Sequence, residues 1–258
     1  MRWSIENPQA YVRSNLIGFA NVLEACRQSG CSHLVYASSS SVYGLNEAVP
    51  FDASRPADHP VSFYAATKKA NEAMAHSYAE LFGIPTTGLR FFSVYGPWGR
   101  PDMAYWKFTE AILSGNPVEV FGGGVLERDY TYIDDVVTSI VRITGAPAKP
   151  DAAWSGLNPD CASSRAPWRI YNIGNRTPVS VNKMLSILEG LCGQAAKRID
   201  RGKPPGDVDR TWSNVEPLER DHGFTPDTPL ETGLGRFVDW FRWWRSTRGG
   251  HGAGCSPS

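Results

Sequence analysis

The chain lacks an excess charge of either sign: 26 lysines and arginines balance 26 aspartates and glutamates over 258 residues. A neutral chain has no general electrostatic footprint for nucleic acid, so none is expected as a partner. No apolar run approaches the ~20 residues that a membrane span requires, so no membrane is expected either. The opening MRWSIENPQAYVRSN has no apolar core of the kind a secretory signal needs. Cysteine is scarce: Cys26, Cys31, Cys161, Cys192 and Cys255 are odd in number and form no tight pairs. That scatter argues against a disulfide framework or a zinc site and predicts reduced thiols, no metal and a cytoplasmic protein. Glycine is plentiful, but no strand, glycine-rich turn and helix follow one another as a phosphate-cradling turn demands. Gly249, Gly252 and Gly254 have suggestive spacing, yet no strand precedes them and no helix follows.

What is present reads as an ordinary globular chain, 41% hydrophobic and 20% charged, long enough for one large or two small domains. Residues 8–29 carry Val12, Leu16, Phe19, Val22, Leu23 and Cys26 at helical spacing, closed by Ser29 and Gly30. Residues 33–38 form an apolar strand, and the prolines at 50, 56 and 60 make 45–62 a loop. A helix over 62–82, stopped by Gly83, leads into a strand over 86–92. Strands alternating with helices of this size predict βαβ units and a parallel sheet. Beyond the turn at 96–101, the pattern predicts a helix over 103–114, a strand over 118–121, a hairpin-like glycine turn at 122–124, a strand over 128–133 and a helix over 134–144. Residues 145–168, rich in Pro, Ala and Ser, read as a surface excursion. A strand at 170–174 and a helix at 180–192 follow, then an irregular 200–229, an aromatic-striped helix over 235–245 and a disordered tail over 247–258.

The chemistry concentrates at 33–68. Leu34-Val35-Tyr36-Ala37 runs into four serines, Ser38 to Ser41, and the helix after the loop carries Tyr64 and Lys68. Residues four apart share a helix face. An ammonium beside a phenol favours the phenolate, and a serine hydroxyl can bond the same substrate oxygen. Together they form a general acid/base suited to moving a proton on and off an alcohol.

The order of strand, serine cluster, Val-Tyr-Gly, loop and Tyr-x-x-x-Lys helix resembles the extended short-chain dehydrogenase/reductase family, the NAD-dependent nucleotide-sugar epimerases and dehydratases. Within it, RFFSVYGPWGRPDM (90–103) and RDYTYIDDV (128–136) are most similar to the UDP-glucuronate 4-epimerase branch. The resemblance runs from about residue 4 to about residue 244 and implies an α/β fold. The expected fold is a partial doubly wound, Rossmann-like parallel sheet over 1–95, followed by a smaller nucleotide-sugar-binding portion over 96–246. It also implies NAD as cofactor, a UDP-sugar as substrate and a homodimer formed through the Tyr64 helix and the helix before it.

By the same resemblance Tyr64 is the base for the sugar 4-hydroxyl, Lys68 binds the nicotinamide ribose, and Ser39 bonds the 4-hydroxyl. Phe92 flanks the nicotinamide, and Ser14 and Asn15 belong to the helix beneath the cofactor. Ser41 and Ser93 contact the sugar, Arg128 the diphosphate, Val120 and Phe121 the uracil, and Asp207 the ribose. A guanidinium grips a carboxylate with two parallel bonds, and the resemblance puts Arg100 at the sugar C6 carboxylate. The dehydratase branch places an acid/base pair where Ser40 and Ser41 stand, and the decarboxylase branch a glutamate where Ser41 stands, so both are disfavoured. An epimerase of neutral UDP-hexoses would not need Arg100. Against the family, roughly 80–90 residues bearing the first half of the dinucleotide fold are absent at the front. The sequence therefore predicts a fragment with weak NAD binding and an exposed sheet edge, or an inactive or partner-dependent remnant.

Overall fold

The computed structural model describes residues 3–202 and 208–249. The predicted helix over 8–29 is three pieces. A short helix α1 (Trp3–Glu6) precedes α2 (Pro8–Tyr11), a π-helical turn (Val12–Ile17) and α3 (Gly18–Ser29). The apolar run becomes β1 (Leu34–Ser39), followed after a 3-10 turn (Ser40–Tyr43) and a loop by α4 (Phe63–Phe82). Ser62 caps α4 by accepting the Ala65 N–H, and Gly83 ends it in the left-handed conformation. Next come β2 (Thr86–Phe91), β3 (Ser93–Tyr95), α5 (Ala104–Ser114), β4 (Pro117–Phe121), β5 (Glu127–Tyr132) and α6 (Ile133–Thr144). The chain closes with β6 (Trp168–Ile173), β7 (Pro178–Ser180), α7 (Val181–Cys192), β8 (Lys197–Arg201), α8 (Glu216–His222) and α9 (Leu230–Gly249).

Strands β1, β2 and β6 form a parallel sheet in that order, in step from Leu34–Thr86–Trp168 to Ser39–Phe91–Ile173. Side chains alternate across it. On one face Tyr36, Trp168 and Ile170 pack with Leu23 of α3 and Ala75 and Ala79 of α4. On the other, Leu89, Tyr171 and Ile173 pack with Val136 and Ile143 of α6 and Leu218 of α8. Cores on both faces are what a doubly wound sheet requires. Gly88 sits mid-strand because a Cβ there would come within 2.6 Å of the Tyr36 hydroxyl and 2.5 Å of Ile170. The second half pairs β3 with β5 in parallel, β5 with β7 antiparallel and β4 with β8 in parallel. Its core is the aromatic stripe of α9, with Phe237 and Phe241 set against Tyr105 and Trp106 of α5 and Leu185 and Leu188 of α7. No helix among the described residues is long and apolar enough to cross a membrane.

Several boundaries differ from the sequence reading. Gly122–Gly124 is a 3-10 turn, not a hairpin, because β4 and β5 join different sheets. The span 200–229 is not wholly irregular: it contains the end of β8 and all of α8. The second half of the 145–168 excursion tucks inward, burying Ala162, Ser163, Ser164 and Ala166. Helix α9 extends on both sides of the predicted 235–245, so residues 247–249 are helical; the rest of the predicted tail, 250–258, lies outside the described residues.

The join between α4 and the sheet is polar. Arg90 of β2, with no side-chain exposure, donates from Nε and Nη2 to the two carboxylate oxygens of Glu72 at 2.9 and 2.8 Å. Glu72 also accepts the Ser38 hydroxyl at 2.6 Å. The guanidinium lies 4.8 Å over the Tyr43 ring, and the Tyr43 hydroxyl donates to Asn172 of β6 at 2.7 Å. Burial pushes the Glu72 carboxyl up, but the Arg90 hydrogen bonds and charge, with Ser38, outweigh it and hold it below its usual value.

Two outcomes follow for stability. Phe237→Ala, in the second core, should lower the unfolding free energy by about 3–5 kcal/mol in urea titration. Glu72→Gln leaves the Arg90 charge buried and unpaired, and should cost about 3–5 kcal/mol near neutral pH. Because the folded Glu72 value is depressed, its contribution is complete above the usual carboxylate value and is lost as pH falls through the folded one. The stability gap between wild type and Glu72→Gln should therefore narrow in acid. A gap that stays constant into strong acid would refute the ion-pair assignment.

Candidate active site

Strand β1 delivers its last residues to the carboxyl end of the parallel sheet, where ligands of such sheets bind. Ser38 turns toward α4 and is taken by Glu72. Ser39, the next residue and 8% exposed, is extended at φ −155°. Its hydroxyl oxygen accepts the Ser41 N–H at 3.2 Å and so starts the 3-10 turn.

Tyr64, Lys68 and Glu72 stand four residues apart on α4 and form one stripe. Two of the three are tied to β1: Glu72 through Ser38, and Lys68 through an ammonium that donates to the Ala37 carbonyl at 3.0 Å. These ties set the stripe against the serine turn, with Tyr64 in the first turn of α4. Burial pulls the Lys68 ammonium below the usual lysine value. Tyr64 is half-buried; its backbone N–H donates to the buried Ser4 hydroxyl at 3.3 Å, and its ring meets Tyr11 edge-on at 6.0 Å. The π turn packs on α4 behind this stripe. Asn15 donates its side-chain amide to Thr67 at 2.9 Å, and Asn71 donates to the Asn15 carbonyl at 2.6 Å. Ser14 is exposed on the same turn. A π turn inside a helix often marks a functional region.

Below the serine turn, Phe92 is buried with Val42, Tyr43, Phe51 and Ala57. Ser93 opens β3 opposite Tyr130 and is half-buried. Arg100 lies beyond β3, 71% exposed, with its fork on the Asp102 carboxylate in two bonds of 3.0 Å. Val120 is fully buried in the second core, and Phe121, which ends β4, is half-buried. Arg128 of β5 donates to the backbone carbonyls of Glu127 and Asp209 at 2.8 and 3.4 Å. Asp207 lies outside the described residues. An open cleft beside β5 and β7, lined by Tyr130, Asn175, Arg176 and Asp227, holds none of the predicted site residues.

Two groups escaped the sequence reading. Glu72 continues the Tyr64–Lys68 spacing by four more residues, a signal that was available. Asp129 gave no such signal, because a carboxylate within a strand reads as solvated. It is fully buried and accepts the N–H groups of Asn175, Arg176 and Ser213 and the Ser213 hydroxyl, at 2.6 to 3.2 Å. Burial pushes its carboxyl up, against the pull of those bonds. It ties the end of β6 and the 211–213 segment to β5.

The donor set at the sheet end fits the nicotinamide-ribose part of a dinucleotide: an ammonium with three N–H groups, one of them spent on Ala37, one helical turn from a phenol on the same helix face.

The family model described as "NAD dependent epimerase/dehydratase family" matches residues 1–174. Among curated proteins, the chain is 50% identical to Protein CapI of Staphylococcus aureus over 93% of its own length and 72% of that protein's. It is 47% identical to UDP-glucuronate 4-epimerase 1 of Arabidopsis thaliana, over 93% of this chain and 56% of that one. Among solved structures, MoeE5 in complex with UDP-glucuronic acid and NAD superposes with a TM-score of 0.81 at 33% identity, covering 93% of this chain and 75% of that one. The UDP-glucuronic acid 4-epimerase of Bacillus cereus, also in complex with UDP-glucuronic acid and NAD, gives 0.78 at 29%, covering 91% and 69%. With its two-faced parallel sheet and its Tyr64–Lys68 stripe set against a serine turn, this chain belongs to the NAD-dependent epimerase/dehydratase family.

Proposed function

We propose that the protein interconverts UDP-glucuronate and UDP-galacturonate by inverting C4 of the sugar. The observation that supports this reading is the α4 stripe, in which Lys68 and Glu72, on the same helix face as Tyr64, are tied to the end of β1 that carries Ser39. Tyr64 takes the proton of the 4-hydroxyl, and Ser39 bonds the same oxygen. Lys68 supplies positive charge on the same face and donates to the ribose of the cofactor. NAD, which Lys68, Ser14, Asn15 and Phe92 would hold, would supply a reversible hydride acceptor for C4. Inversion would require the 4-keto sugar to turn over in the pocket, after which Tyr64 gives its proton back to the same oxygen. No net redox change results.

The remaining residues divide the substrate and cofactor between them. Ser41 and Ser93 contact the sugar, Arg128 the diphosphate, Phe121 the uracil, and Asp207 the ribose; Val120, fully buried in the second core, has no surface for the uracil and can only pack behind that site. Ser14, Asn15 and Phe92 line the cofactor. The choice of a uronic acid rests on Arg100. Its exposed fork already grips one carboxylate, that of Asp102, in the two-bond geometry a sugar C6 carboxylate would need. An exposed pair of this kind contributes only about 0–1 kcal/mol, so a ligand can exchange with it. A homodimer in the cytoplasm completes the proposal.

Tyr64→Phe should lower C4 inversion by a factor of about 10²–10⁴, with the nucleotide still bound. Arg100→Met should raise KM for UDP-glucuronate by about tenfold or more, the loss of a charged hydrogen bond, and leave UDP-glucose unaffected. Full turnover by Tyr64→Phe removes the phenol from its role. A wild-type preference for UDP-glucose rejects the carboxylate reading.

A further inference from the structure

The turn that presents Arg100 is held by a contact outside the proposed reaction. Trp98 is 74% exposed, yet its backbone lies at φ 60°, in the left-handed region that bulky residues avoid. A residue keeps such a conformation only where its surroundings over-determine it. Here the indole supplies the hold. Its centroid is 5.3 Å from Trp240 and 6.4 Å from Trp243, both on α9. Trp240 in turn stacks on Trp244 and meets Trp106 of α5 edge-on.

The backbone on either side of Trp98 is equally constrained. A Cβ on Gly99 would come within 1.7 Å of the Tyr105 phenol oxygen, so the turn presses against α5. The Gly99 N–H donates to the Gly96 carbonyl at 3.3 Å, and the Met103 N–H to the Arg100 carbonyl at 3.2 Å. Among the described residues the Arg100 side chain bonds Asp102 and Met103, which move with the turn. Its place relative to the second core is therefore set by the residues around it: Met103 packs against that core, and Trp98 reaches Trp240 and Trp243 of α9.

We propose that Trp98, clamped on Trp240 and Trp243, is a positioning residue that fixes the Arg100 guanidinium and through it the selectivity for a carboxylated over a neutral nucleotide sugar. The inference rests on the Arg100 reading above and adds a determinant on an exposed turn set against the C-terminal helix. Trp98 touches no reacting atom.

The test compares wild type, Trp98→Ala and Trp98→Phe in two measurements. Amide exchange in the ligand-free protein should quicken by about tenfold at Gly99 and Met103 in Trp98→Ala and stay near wild type in Trp98→Phe. Calorimetric titration should show Trp98→Ala binding UDP-glucuronate at least about fivefold more weakly, with UDP-glucose changed by less than about twofold and Trp98→Phe retaining the preference. Unchanged exchange at both amides overturns the clamp. Equal weakening toward both sugars overturns the selectivity role, since a merely structural residue would act on both alike. Wild-type protein that binds the two sugars equally rejects the Arg100 reading and the selectivity role with it, and the exchange data then decide whether Trp98 holds the turn.

Discussion

The buried ion pair between Glu72 and Arg90 is the constraint on which the rest of the site depends. Helix α4 buries mostly small or polar side chains: Ala65, Thr67, Asn71, Ala75 and Ala79. Small residues bring a helix close to a sheet but offer little relief to stop it sliding or rotating. Directional bonds supply what packing does not. Arg90 holds both carboxylate oxygens of Glu72, Glu72 holds Ser38, and Lys68 holds the Ala37 carbonyl. Taking two charges out of water is expensive, and what offsets it here is the bidentate geometry and the Ser38 hydroxyl on Glu72, while Arg90 Nη1 stays without a hydrogen-bond partner among the described residues. The same bonds that offset desolvation also fix the height of Tyr64 above the serine turn.

A second buried carboxylate organises the other half in a different manner. Among the described residues no ion pair reaches Asp129; four hydrogen bonds from two separate segments satisfy it. A Cβ at Gly174 would come within 2.1 Å of the Ser213 hydroxyl, so the chain passes this point only with glycine. Arg128 stands beside Asp129 in β5, and Asn175 and Arg176 follow β6. One buried acid thus holds three stretches of backbone in register where the two halves of the fold meet. Arg100 is held differently again, on an exposed turn anchored by the Trp98 ring contacts, two backbone bonds and Met103 packed on the second core. Exposure suits the proposed role, in which Arg100 releases Asp102 to take a substrate carboxylate.

Much of this was legible before the fold. The predicted strand over 33–38 is Leu34–Ser39, the predicted helix over 62–82 is Phe63–Phe82, and the helix over 180–192 is Val181–Cys192. Each has a clean apolar period and a residue that stops it. The misses share one cause. Strand β8, Lys197–Arg201, is exposed along its whole length and exists because β4 offers it a ladder, so no apolar alternation announces it. Helix α8 buries a single side chain, Leu218. The π turn at 12–17 interrupts a regular helical pattern because Asn71 of α4 reaches across to the Asn15 carbonyl, a partner 56 residues away.

The order of residues alone determined the family, the alternation of strands and helices, and the pairing of Tyr64 with Lys68, because spacing along one helix is a local property. It also suggested the proposed carboxylated substrate through Arg100, since the planar fork of a guanidinium is intrinsic to the side chain. Only tertiary structure decided what holds those groups in place. Glu72 meets Arg90, Asp129 meets Ser213, and Trp98 meets Trp240 across separations that no period encodes. Whether a buried charge is paired and whether an exposed tryptophan is clamped depend on what the completed fold brings beside it.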